Sequence, residues 1–166
     1  MPASDHELEQ AGDQLAAQLL QQGSTVVTAE SCTGGWVAKV LTDKAGSSAY
    51  VVGGLVTYSN EAKQKLLAVT DASLANHGAV SEPVVREMVA GALATTGANV
   101  AVAISGVAGP GGGSKEKPVG TVWFAWGDRI DRTEAVVQYF SGDRDQVRRQ
   151  AVLFALQGVS RFLQQT

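Results

Sequence analysis

One cysteine, two histidines, four prolines and 6% aromatic residues are all that this chain of 166 residues contains of those types. With Cys32 alone, no disulfide can close within the chain and no thiolate cluster can hold zinc, so a reducing, cytoplasmic setting and no metal are expected. His6, in an N-terminal helical stretch, and His77, beside Gly78, are poor material for a Ser-His-Asp triad. Charge is scarce as well. Charged residues make up 17%, the net charge is −3 and there is no long basic run, which argues against a general nucleic-acid binder. No apolar run is long enough to span a membrane, and Met1 to Gln22 lacks the basic start and continuous apolar core of a signal peptide.

What remains is apolar and glycine-rich, with 45% hydrophobic residues and 19 glycines. That content suits one domain over 1–166 with a sizeable core. Leu8, Ala11, Leu15, Ala16, Leu19 and Leu20 recur at helical spacing until Gly23, which predicts a helix over 5–22 packed on the rest. A strand is expected from Ser24 to Val27, then a turn from Thr28 and a helix from about Gly35 to Lys44. Tyr50 to Tyr58 reads as a strand with a glycine bend, and Asn60 as the cap of a helix carrying Lys63, Leu66 and Leu67. Ser81-Glu82-Pro83 opens a helix that Gly97 closes. Val100 to Ile104 is wholly apolar, as a strand buried on both faces would be. Thr121–Trp126 and Asp131–Phe140 form a hairpin through Gly127-Asp128, and Asp143 with Gln146 makes a capping box for a last helix. Helices interleaved with apolar strands predict an α/β fold, a three-layer α/β/α sandwich with a mixed, largely parallel central sheet.

Thr28-Ala29-Glu30-Ser31-Cys32-Thr33-Gly34-Gly35 is the stretch richest in chemistry. A turn between strand and helix would lift Ser31 out and surround it with the N–H groups of Thr33, Gly34 and Gly35 and the positive end of the helix dipole. The plain alternative is a helix cap. A serine nucleophile needs a base, and Tyr58-Ser59-Asn60-Glu61-Ala62-Lys63 offers a phenol at a strand end and an amine one turn into a helix. A desolvated lysine can accept a proton and Tyr58 could relay it. Taken singly, Lys63 is an ordinary solvated helix charge and Tyr58 a half-buried strand residue. Cys32, near a helix start, is either a second candidate nucleophile or a small buried residue.

Ser105-Gly106-Val107-Ala108-Gly109-Pro110-Gly111-Gly112-Gly113-Ser114-Lys115 fits neither the Walker nor the dinucleotide-binding spacing. Ser105 and Gly106 still leave the carboxyl end of a central strand, where ligands gather in open α/β sheets; the alternative is a merely mobile connection. Arg144 and Arg148 stand at i,i+4 on the last helix and could clamp a phosphate; the alternative is a solvated face paired with Asp145.

Taken in order, T-A-E-S-C-T-G-G at 28–35, Y-S-N-E-A-K at 58–63, G-A-V-S-E-P-V-V-R-E-M at 78–88, S-G-V-A-G-P-G-G-G-S-K-E-K-P-V-G-T-V at 105–122 and G-D-R-D-Q-V-R at 142–148 resemble the CinA C-terminal domain family over nearly the whole chain. Stand-alone members of that family are nicotinamide-nucleotide amidases. The resemblance implies conversion of nicotinamide mononucleotide (NMN) to nicotinate mononucleotide and ammonia, with no cofactor and no metal. It implies Ser31 as nucleophile and Lys63 and Tyr58 in proton transfer. Thr33, Gly34, Gly35, Asn60, Ser105, Gly106, Gly109, Arg144 and Arg148 are the expected substrate-binding positions. A pyridine-nucleotide-binding regulatory module without turnover and an amidase for another carboxamide are the competing readings. A homodimer or higher homo-oligomer is expected, with the apolar N-terminal helix and the strand of Trp123 and Trp126 as candidate contact surfaces.

Overall fold

The computed structural model describes residues 3–165; Met1, Pro2 and Thr166, the ends of the expected 1–166 domain, lie outside the described residues. Helix α1 (Asp5–Gln22) begins with a capping box from Ser4 and Glu7 and ends on left-handed Gly23. Strand β1 (Val26–Glu30), helix α2 (Trp36–Asp43) and strand β2 (Val51–Val56) follow. Next come α3 (Asn60–Leu67), α4 (Asp71–His77) and α5 (Glu82–Thr96). Strands β3 (Val100–Gly106), β4 (Thr121–Asp128) and β5 (Thr133–Tyr139) precede the long α6 (Arg144–Gln164).

The five strands form one sheet in the order β2-β1-β3-β4-β5. Pairings of β1 with β2 and with β3 are parallel, and those of β3 with β4 and β4 with β5 are antiparallel. The sheet is thus mixed, with a parallel core on the β1 side. Period-2 alternation divides β3 between two apolar layers. Val100, Val102 and Ile104 join the cluster containing α1, α2 and α6, while Ala101 and Ala103 join the one under α3 and α5. The first layer is bulky, with Phe124 and Trp126 stacked at 5.9 Å beneath α6. Gly158 of α6 lets the Trp126 indole lie against the helix, and the indole N–H donates to Ala155 O at 3.1 Å. The second layer, with alanines at 101, 103 and 125, lets α5 lie close to the sheet.

Several local expectations change. Thr28, Ala29 and Glu30 belong to β1, because that strand pairs on both sides as far as Glu30. Ser59, whose hydroxyl accepts from Ala62 N, caps α3, and Asn60 is its first residue. Leu20 is exposed. Gly127 pairs with Thr133, so the hairpin turn lies beyond it, where Asp128 Oδ1 accepts from the N–H groups of Ile130, Asp131 and Arg132. His77 closes the short α4, a helix the sequence pattern does not reveal. Of the two surfaces suggested for a symmetric partner, α1 buries Leu8, Leu15 and Leu19 in the core it shares with α6, and on β4 Trp126 is fully buried while Trp123 is part-buried. Among the described residues no helix is long and apolar enough to cross a membrane.

Candidate active site

β1 lies between β2 and β3, and its carboxyl end delivers Ser31 to the crevice outside the parallel strands, the usual place for ligands in such sheets. Both neighbours continue to hold the chain there. Ser31 N–H donates to Ile104 O at 2.9 Å, and Thr57 N–H donates to Glu30 O at 2.9 Å. Ser31 is buried, and its hydroxyl meets the amine of Lys63 at 2.8 Å.

Lys63 sits in the first turn of α3 with a side chain only 1% exposed, a fraction that rules out the solvated-charge alternative. Its Nζ also donates to Thr57 O at 2.8 Å and to Tyr58 O at 3.1 Å. Burial pulls the amine below the ordinary lysine range, to about 8. This arrangement suits both protonation states. A neutral amine donates its two N–H groups to the carbonyls and presents its lone pair to Ser31 O–H; an ammonium has a third N–H for the serine oxygen.

Tyr58 enters this cluster by its backbone. Its carbonyl accepts from Lys63 and, at 3.4 Å, from Ser31 Oγ, whereas its exposed phenol receives Arg144 Nη2 at 3.2 Å. The structure therefore joins Ser31 and Lys63 directly and leaves the phenol outside their hydrogen bonds. Thr57 Oγ1, buried beside them in sequence, has no hydrogen-bond partner among the described residues.

The turn after Ser31 has few free donors. Gly34 N–H donates to Ser31 O and Trp36 N–H to Thr33 O, both at 3.0 Å. Val37 and Ala38 N–H donate to the Glu30 carboxylate at 2.9 and 3.0 Å. Among the described residues, the N–H groups of Cys32, Thr33 and Gly35 have no acceptor, so of the expected oxyanion donors Thr33, Gly34 and Gly35 the first and last stay open. Gly35 stands at φ 97°, a left-handed conformation that glycine adopts without steric cost. The dipole contribution changes as well, because a carboxylate beneath the start of α2 offsets its positive end.

The two arginines do different things, and neither pairs with Asp145, which Arg149 takes at 2.8 Å. Arg148 braces the nucleophile turn, with Nε on Cys32 O at 3.0 Å and Nη2 on Thr33 O at 3.2 Å. Arg144, exposed, links Gly109 O at 2.7 Å to the Tyr58 phenol. Ser105 is buried with its hydroxyl on Ala79 O at 2.9 Å, and Gly106 is paired within β3. Asn60 is exposed and makes no side-chain hydrogen bond among the described residues. Burial pushes the Cys32 thiol up to about 12, which keeps it protonated at neutral pH and makes it a packing residue.

A cavity of about 310 Å³ opens beside this turn, lined by Thr33, Gly34, Gly35, Trp36, Lys39 and Arg148. A larger hollow of about 660 Å³ lies between α1 and α2, but none of the candidate catalytic residues lines it. Among the described residues no group of three His, Cys, Asp or Glu is placed to hold a metal ion. The residue that sequence reasoning missed is Glu30. An acid at the end of a strand that must be buried on both faces, with hydroxyls at 28 and 33 and no capping side chain at Gly35, was the available signal.

Comparison with known proteins covers nearly the whole chain. The family model for the CinA C-terminal domain matches residues 8–163. A nicotinamide-nucleotide amidohydrolase PncC of Escherichia coli K12 is 59% identical, covering 98% of this chain and 99% of that protein. A CinA-like protein of Mycolicibacterium gilvum is 52% identical over 91% of this chain, which corresponds to 35% of that longer protein. The crystal structure of the competence/damage inducible protein CihA from Agrobacterium tumefaciens superposes with a TM-score of 0.93 at 41% identity, covering 99% of both chains. By family model, sequence and fold together, this chain belongs to the CinA C-terminal domain family.

Proposed function

We propose that this protein is a nicotinamide-nucleotide amidase that hydrolyses NMN to nicotinate mononucleotide and ammonia through a serine–lysine pair. The observation that carries the reading is the 2.8 Å contact between Ser31 Oγ and a buried Lys63 amine whose other hydrogen bonds go to two carbonyls. The substrate follows from the likeness to the amidohydrolase of E. coli, which extends over essentially both whole chains.

Neutral Lys63 takes the Ser31 proton as Oγ attacks the carboxamide carbon. The N–H groups of Thr33 and Gly35 receive the oxyanion. As the C–N bond breaks, the Lys63 ammonium returns its proton to the leaving nitrogen, which departs as ammonia. The Tyr58 phenol, which Arg144 holds outside the Ser31–Lys63 contact, carries no proton in these steps. Water, activated by the again neutral Lys63, then splits the acyl ester, releasing the carboxylate product and restoring Ser31. The cations at Lys39, Arg144 and Arg148 favour a substrate carrying a phosphate.

The test is ammonia and nicotinate mononucleotide production from NMN by wild type and Ser31→Ala. Loss of about a thousandfold or more in kcat with an unchanged fold is expected. Near-normal turnover by the variant rejects the mechanism. A folded wild type that binds NMN without turnover establishes the regulatory module instead.

A further inference from the structure

Glu30 is the last residue of β1, immediately before Ser31, and it is fully buried, although a carboxylate in such a place is costly unless its lone pairs are met. They are met by four donors. Oε1 accepts from Thr33 Oγ1 at 2.7 Å and Val37 N at 2.9 Å; Oε2 accepts from Thr28 Oγ1 and Ala38 N, each at 3.0 Å. These match the four lone-pair sites of an ionised carboxylate. One side chain therefore ties the strand that precedes the nucleophile to the middle of the turn and to the helix that follows.

A helix cap alone would not need this construction. Asp, Ser or Thr at position 35 would cap α2 locally, as Ser59 caps α3 and Asp143 caps α6. Position 35 is instead a glycine without a side-chain cap. Capping from Glu30 satisfies Val37 and Ala38 while the Gly35 N–H stays without an acceptor, and the bond to Thr33 Oγ1 holds a residue that supplies a further free N–H. We infer that Glu30 is a positioning residue for the amidase reaction, setting the arc from Ser31 to Gly35 so that the Thr33 and Gly35 N–H groups face the oxyanion. This inference rests on the serine–lysine reading above.

The geometry makes Glu30→Gln a sharp substitution. Each carboxylate oxygen holds one hydroxyl, which can rotate to accept, and one backbone N–H, which cannot. Either orientation of a glutamine amide therefore turns its NH2 toward a backbone N–H, of Val37 or of Ala38. Thr33→Val and Thr28→Val complete the set. Each removes one hydroxyl from the carboxylate, but only Thr33 belongs to the turn.

The experiment measures kcat and KM for NMN, the rate at which a fluorophosphonate probe labels Ser31, and Tm for wild type and the three variants. Loss of one positioning hydrogen bond in Thr33→Val is expected to lower kcat and labelling about tenfold, with KM within about twofold. Thr28→Val loses similar Tm but at least fivefold less kcat, and Glu30→Gln loses about a hundredfold with KM little changed. Equal losses in the two threonine variants, or rates that merely follow Tm across the set, reduce Glu30 to a structural cap and overturn the inference. If Glu30→Gln does not fold, the threonine pair decides. If wild type is labelled but does not hydrolyse NMN, the substrate reading fails, while slower labelling of Thr33→Val than of Thr28→Val still upholds the positioning role.

Discussion

The turn 31–35 and the loop 107–120 leave the carboxyl ends of neighbouring strands β1 and β3, and both contain glycines at positive φ. Their polar groups are treated in opposite ways. In the turn, Ser31, Cys32 and Thr33 are buried, the carbonyls of Cys32 and Thr33 receive Arg148, and the Thr33 hydroxyl goes to Glu30. In the loop, residues 110–116 are exposed, and 110–113 take no hydrogen bond among the described residues. Its fixed points are at its margins, where Gly109 O meets Arg144 and Lys117 Nζ meets His77 O at 2.5 Å. Glycine content alone, then, does not mark a reacting centre. The proposed site is distinguished instead by a turn whose carbonyls and side chains are held while N–H groups stay open, since preorganised donors stabilise a developing charge without reorganising.

Lys63→Met attacks the fixed region at its base and has the largest expected effect after removal of the nucleophile, a loss of about a thousandfold in kcat. In wild type, kcat/KM should rise with pH through about 8, because the base works as the neutral amine. The same shift has a stability consequence. The folded chain releases the Lys63 proton near 8 and the unfolded chain near the ordinary 10.5, so between these values the unfolded chain binds more protons and stability rises with pH. Wild type should gain roughly 3 kcal/mol relative to Lys63→Met across that window, measured by denaturant melts. A flat difference would show that the amine is not desolvated.

Glycine substitutions sharpen the contrast between turn and loop. At Gly35 a Cβ would meet φ 97° strain and lie 3.2 Å from Val56 Cγ2, whereas at Gly111 it would meet open space. Gly35→Ala should destabilise by about 1–2 kcal/mol and lower kcat at least about tenfold. Gly111→Ala should leave both nearly unchanged. Equal kinetic effects would erase the distinction between the two segments.

Arg144→Ala probes the side chain that joins the loop to Tyr58, and its effect should be smaller than that of Gly35→Ala. A severalfold rise in KM with kcat changed by less than about threefold is expected for a group that holds substrate rather than the reacting atoms. An unchanged KM in steady-state assays would assign Arg144 to the surface.

Much of the architecture was legible because its signals are local. The helical apolar spacing from 8 to 19, the glycine ends at 23 and 97, and the capping box of Asp143 and Gln146 all appear in the structure. Limits of elements were less so. Thr28 to Glu30 read as a turn, because hydroxyl and acid disfavour a buried strand unless partners satisfy them; Thr28 finds Glu30 itself, and the other partners of Glu30 lie in the turn and in α2. The phenol of Tyr58 was expected at the nucleophile, but a strand end shows neither which way a side chain leaves nor that Arg144, far along the chain, receives it.

By itself the sequence determined the alternation of helices and strands, the family and the residue types available for acyl transfer, since these depend on periodicity, caps and the order of short motifs. Only the tertiary structure decided which atoms meet: Lys63 amine with Ser31 hydroxyl, Arg148 with the carbonyls of the turn, and Glu30 with both sides of it. The reason is physical. A lysine becomes a base, and a buried glutamate becomes tolerable, only when parallel strands and packed helices exclude water and supply every partner within hydrogen-bond reach.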